Sequence, residues 1–68
     1  MNTFGERLSS IMALNNISQS ELSRRSGVTR YSICRYCSGQ RMPKTSTLLN
    51  ICKALGVSAD YLLGTEVK

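Results

Sequence analysis

Ser18-Gln19-Ser20-Glu21-Leu22-Ser23-Arg24-Arg25-Ser26-Gly27-Val28-Thr29-Arg30-Tyr31-Ser32-Ile33-Cys34-Arg35-Tyr36-Cys37-Ser38 is the stretch on which the fold turns. It opens with a helix-start signal. Ser18 can accept from the backbone N–H of Glu21, and the Glu21 carboxylate can reach back to Ser18. Leu22 is the apolar residue of this short helix, and Gly27 ends it because glycine takes a positive φ at little cost. Two residues later Thr29 offers a second N-cap, followed by Ile33 and Tyr36 as an i, i+3 apolar pair. The unit is therefore two short helices separated by a turn of about three residues.

Outward from this unit the apolar residues recur at helical intervals, and nothing reads as a strand of any length. Phe4, Leu8 and Ile11 form one stripe, with Met12 on its flank, and Asn15-Asn16 breaks the pattern. Gly39 ends the third helix, and Gln40 to Pro43 form a loop closed by the only proline. Leu48, Ile51, Cys52 and Leu55 then stand at i, i+3, i+4 and i+7, the clearest stripe in the chain. Lys44 or Thr45 must begin this helix, and neither caps well. Gly56 ends it, and Ser58 caps a last short helix running to Leu63 before Gly64. The expectation is an all-α chain of five short helices in one domain, residues 1–68, with the two-helix unit at 18–38 and a tail at 65–68.

At 68 residues the chain supports one modest core. Domains of this size bury only about 60% of the surface exposed when unfolded. The composition, 41% hydrophobic and 19% charged, is that of an ordinary globular domain. No apolar run approaches the ~20 residues that span a membrane, and residues 1–20 lack the layout of a secretory signal. A cytoplasmic location is expected.

The net charge of +5 is unevenly placed. No carboxylate lies between Glu21 and Asp60, whereas Arg24, Arg25, Arg30, Arg35, Arg41, Lys44 and Lys53 all do. Such a field attracts polyanions, although small domains are also mildly basic for solubility alone. Cys34, Cys37 and Cys52 are odd in number and lack the context of a disulfide framework. Cys34-x-x-Cys37 has half the spacing of a zinc site, but the chain has no histidine and only one further cysteine. Structural thiols, no metal and no cofactor are expected. Enzymatic chemistry finds no support: there is no histidine to activate a nucleophile, no close carboxylate pair and no phosphate-cradling glycine loop.

The two-helix unit meets the needs of a helix-turn-helix. Ser23 is the small residue where the helices cross, Gly27 occupies the turn, and Leu22, Val28, Ile33 and Tyr36 pin both helices to the rest of the domain. At 100° per residue, turning Ile33 and Tyr36 inward centres the opposite face of the third helix on Tyr31, Arg35 and Ser38, with Cys34 and Arg30 to one side. The N-terminal residues of such a helix meet base edges in the major groove. Arginine can take the O6 and N7 of guanine together. Tyr31 can hydrogen-bond a phosphate or a base, or pack on a thymine methyl. The plainer alternative is a solvated basic face with no partner.

From Phe4 to Gly64, about nine-tenths of the chain, the sequence resembles the lambda-repressor-like, Cro/C1-type helix-turn-helix domains. The resemblance rests on Ser18-Gln19-Ser20-Glu21-Leu22, Gly27-Val28-Thr29, Ser32-Ile33 and Ser38-Gly39 followed by Pro43. It rests also on Leu48-Leu49, on Ala54-Leu55-Gly56-Val57-Ser58 and on Tyr61-Leu62-Leu63-Gly64. It implies a compact five-helix fold and a regulator, most simply a repressor, that binds pseudo-palindromic double-stranded operator DNA as a homodimer. By position it places Gln19, Thr29, Arg30, Tyr31 and Arg35 at the bases, and Ser18, Ser38, Gln40, Arg41 and Lys44 along the sugar–phosphate backbone. The chain departs from the family pattern at Met12 and Cys37, where many members carry an arginine and a glutamate as a partly buried ion pair. Losing both partners together is physically reasonable, since apolar groups of similar volume often replace such a pair without loss. A dry, apolar contact between Met12 and Cys37 is expected. Serine also stands at Ser23 where alanine is commoner.

If two copies pair, the interface is expected at the fourth and fifth helices, where Leu49, Val57, Tyr61 and Leu63 exceed what one core can bury. The alternative function is a protein-interaction module of the same fold, such as an antitoxin or adaptor. The six cations from Arg24 to Lys44 speak against it, because protein-binding surfaces are depleted in charge at their centres.

Overall fold

The computed structural model describes residues 3–64, so the expected tail at 65–68 lies outside the described residues. Five helices follow one another: α1 (Phe4–Leu14), α2 (Gln19–Ser26), α3 (Arg30–Cys37), α4 (Thr45–Leu55) and α5 (Ala59–Leu63). Among the described residues no helix is long and apolar enough to cross a membrane. α1 packs on α3 and α5, α2 packs on α3 and α4, and α4 closes the arrangement against α5.

Local chemistry sets each boundary. Ser18, Thr29 and Ser58 accept from the N–H groups of Glu21, Ser32 and Tyr61, as the sequence indicates. The reciprocal half of the Ser18 cap is absent, because the Glu21 carboxylate instead takes the guanidiniums of Arg24 and Arg25. A full capping box stands at the start of α1, where none is expected. Thr3 Oγ1 accepts from the Glu6 N–H at 3.2 Å, and Glu6 Oε1 accepts from the Thr3 N–H at 2.9 Å. Lys44 precedes α4 with no side-chain cap, as expected. At the end of α1 the Asn15 amide donates to the Ile11 carbonyl at 2.9 Å, and Asn16 turns the chain with φ +56°.

The core draws one fully buried side chain from every helix: Leu8, Leu22, Ile33, Ile51 and Leu62. Phe4, Ile11, Met12, Tyr36, Leu48 and Cys52 complete it, while Val28 and Leu55 pack against it half-buried. Leu62 gives no signal of its own in the sequence, because a five-residue helix is too short to show a stripe. Val57 and Tyr61, expected to be surplus to the core, instead pack against it; Leu63 and Leu49 remain exposed. Arg7 fastens α5 to α1: its Nη1 donates to the Tyr61 carbonyl at 3.1 Å, and its guanidinium lies 5.6 Å from the Tyr61 ring centre.

α1 and α3 approach closely at Gly5, and Ser23 on α2 is half-buried. A Cβ on Gly5 would lie 2.6 Å from the Tyr36 carbonyl oxygen and 2.7 Å from that of Cys37. Both are backbone atoms that cannot step aside. Gly5→Ala is therefore expected to lower stability by about 1–3 kcal/mol through overpacking. This holds although alanine favours a helix by about 1 kcal/mol. Urea unfolding that found the variant as stable as the parent would show that α1 and α3 separate freely.

Met12 and Cys37 do meet, the Cys37 thiol donating to the Met12 sulfur at 3.9 Å. The contact is only partly enclosed, however. Cys37 is half-buried, and the two sulfur residues help line an open depression of about 300 Å³ with Ser9, Ile17 and Gln19. Met12 itself is 5% exposed. Met12→Arg alone should cost about 3 kcal/mol, since it strands a charge there, and adding Cys37→Glu should restore much of the loss. Equal denaturation midpoints for parent and single variant would refute this.

Candidate nucleic-acid interface

Ile33 and Tyr36 are buried, 0% and 7% exposed, and this fixes the rotation of α3 about its axis. Arg30, Tyr31, Cys34 and Ser38 consequently face outward, with Arg35 half-buried among them. This is the face that the helical period indicates. α2 contributes Gln19, which joins Arg30, Tyr31 and Cys34 around an open depression of about 320 Å³. One helix start and one helix face therefore converge on the same concave surface.

Arg35 is held from two sides. Its guanidinium lies over the Tyr31 ring, 4.6 Å from the centroid, and its Nη1 donates to Gln40 Oε1. Arg41 and Lys44 are exposed on the loop between α3 and α4. Glu21, the acidic residue at the start of α2, is occupied by Arg25 and Arg24, which in that order hold its carboxyl below the usual range.

The hydroxyls expected at this surface differ in what they have left to offer. Ser18 Oγ accepts from the Glu21 N–H and keeps its own proton. Thr29 Oγ1 accepts from the Ser32 N–H and donates to Ser32 Oγ at 3.0 Å. Ser38 Oγ donates to the Arg35 carbonyl at 3.1 Å. Among the expected site residues, the structure gathers Gln19, Arg30 and Tyr31 around one hollow and ties Arg35 to Tyr31 and Gln40. Cys34 lines that hollow too. The helical period sets it beside this face, but it is not among the expected contacts.

A helix-turn-helix family model matches residues 8–62, and the chain belongs to that family. Among curated relatives, the HTH-type transcriptional regulator for conjugative element SXT of Vibrio cholerae is 40% identical over 62 residues, covering 91% of this chain and 28% of the relative. The SPbeta prophage-derived uncharacterized HTH-type transcriptional regulator YonR of Bacillus subtilis (strain 168) is 37% identical over 66 residues, covering 96% of this chain and 61% of the relative. The chain thus spans little more than a quarter of the first relative's length. Among solved structures, the P22 c2 repressor protein in complex with a synthetic operator superposes with a TM-score of 0.90 at 30% identity, over 97% of this chain and 100% of that one. The restriction-modification controller protein C.AhdI of Aeromonas hydrophila gives 0.84 at 28% identity, over 88% and 91%.

The three thiols are free and unequal: Cys34 exposed, Cys37 half-buried, Cys52 buried. Burial pushes the thiols of Cys37 and Cys52 up, and for Cys37 a hydrogen bond with Ser9 partly offsets the rise. The thiolate is the reactive form. Under limiting iodoacetamide, mass spectrometry should find Cys34 alkylated first, with the other two protected until the domain unfolds. Labelling of Cys37 ahead of Cys34 in the folded protein would contradict this placement.

Proposed function

We propose that the chain is the DNA-binding part of a transcriptional regulator, a repressor, that reads double-stranded operator DNA with α3 in the major groove. The observation that carries this reading is the outer face of α3. It presents Arg30, Tyr31 and Arg35 beside Gln19, within a stretch from Leu22 to Ala59 that holds no carboxylate. Cationic and hydrogen-bonding groups on a helix that fits the groove match what base edges and phosphates offer. The likeness to a repressor solved on a synthetic operator supports the same reading.

In this reading Gln19, Thr29, Arg30, Tyr31 and Arg35 meet the bases, and Ser18, Ser38, Arg41 and Lys44 meet the sugar–phosphate backbone. Ser18 donates its free proton there, whereas Thr29 and Ser38 must first turn their hydroxyls away from internal partners. The regulator works in the cytoplasm as a homodimer on a pseudo-palindromic operator, its recognition helices about 34 Å apart. Leu49 and Leu63, 48% and 42% exposed on the packed pair α4 and α5, form the surface for the second copy.

Selection of duplexes from a random pool, followed by titration at two salt concentrations, tests these assignments. Arg30→Ala and Arg35→Ala should each lose about 1–3 kcal/mol on the selected sequence and relax base choice at one position. Arg41→Ala and Lys44→Ala should weaken binding to every sequence and lower the salt slope by about one unit each. Four variants behaving alike would mean that α3 does not lie in the groove as described. A selected motif with no repeated half-site would rule out the two-fold dimer.

A further inference from the structure

We propose that Gln40 and Tyr31 are positioning residues for Arg35, so that Gln40 governs base choice through that arginine and not through a phosphate. The inference rests on the DNA-binding reading above and departs from the backbone role that family resemblance gives Gln40. It starts from the way α3 ends. Gly39 adopts φ +81°, its N–H reaches the Tyr36 carbonyl at 3.2 Å, and the Gln40 N–H reaches the Arg35 carbonyl at 2.9 Å. This pair of bonds is the Schellman arrangement, which folds the chain back over the last helical turn. Gln40 is thereby tied to Arg35 by its backbone before its side chain makes any contact.

The side chain then adds a second tie. Gln40 Oε1 accepts from Arg35 Nη1. The assignment of the amide is forced, because its nitrogen and the guanidinium are both donors. One helical turn earlier, the Tyr31 ring lies against the same guanidinium, 4.6 Å from its centre. Arginine has among the largest rotamer freedoms of any side chain, and here its head group has a ring on one side and one N–H bonded. Four of its five N–H donors stay available, enough for the paired bonds that guanine O6 and N7 accept. The ring and the amide thus select an orientation before DNA arrives, which lowers the ordering cost of binding.

The experiment measures affinity for the selected duplex and for each single-base-pair change, using the parent, Arg35→Ala, Gln40→Ala, the double variant, Tyr31→Phe and Tyr31→Leu. Gln40→Ala should reduce discrimination at the same base pair as Arg35→Ala, by about two- to twelvefold, the range expected for freeing one long side chain. It should add nothing at that base pair once Arg35 is gone. Tyr31→Phe, which keeps the ring, should retain more of the discrimination at that base pair than Tyr31→Leu, and Tyr31→Leu should resemble Gln40→Ala there. Uniform weakening by Gln40→Ala on all duplexes, or losses that add in the double variant, would overturn the proposal and leave the DNA-binding reading intact. So would unchanged discrimination in Arg35→Ala. A parent that selects no sequence would overturn both.

Discussion

The burial of Leu8, Leu22, Ile33, Ile51 and Leu62 in one cluster is the constraint on which the other features depend. No helix among the described residues exceeds 11 residues, and isolated helices shorter than about 12–15 residues are marginal in water. Each helix is therefore stable only while its neighbours cover its apolar side chain. Fully burying a leucine or isoleucine contributes roughly 1.5–3 kcal/mol, a large share of the net stability of a small domain. The same packing aims the outer surface: Ile33 cannot turn inward without Tyr31, on the opposite side of the helix, turning out.

Much of this is legible in the chain because the signals are local. Ser18, Thr29 and Ser58 cap by hydroxyls at fixed offsets, and Gly27, Gly56 and Gly64 end helices in left-handed conformations. Longer stripes, such as Leu48, Ile51 and Cys52, mark their buried face. What stays hidden depends on competition or on distance. Glu21 has two uses open to it, a backbone N–H or two neighbouring guanidiniums, and the guanidiniums take it. Gly5 is only a weak helix residue until α3 is set across it.

The candidate site divides the same way. Arg30, Tyr31 and Cys34 share one face by helical period alone, whereas Gln19 enters from another helix and needs either the fold or a family resemblance to place it. The partnership of Arg35 with Gln40 spans five residues and a helix end. The 3.6-residue period does not relate such positions; the Schellman end of α3 does. Only the left-handed turn at Gly39 brings them together.

Charge and hydroxyl groups at this surface serve folding and, in the proposed reading, recognition at once, and the overlap limits each. Arg24 and Arg25 count toward the +5 of the chain but are shared with Glu21, 73% and 48% exposed on α2. Exposed ion pairs contribute little to stability, so the effect of Glu21 is to weaken the field over α2 relative to α3 and the following loop. The caps show the same division. Ser18 fixes the start of α2 as an acceptor and still has a proton for a phosphate. Thr29 fixes the start of α3 but has given its proton to Ser32. A cap that only accepts can hold its helix and bind an anion together, whereas one that also donates must release an internal partner first. In the proposed DNA-binding reading, the surface is accordingly better prepared at Ser18 than at Thr29.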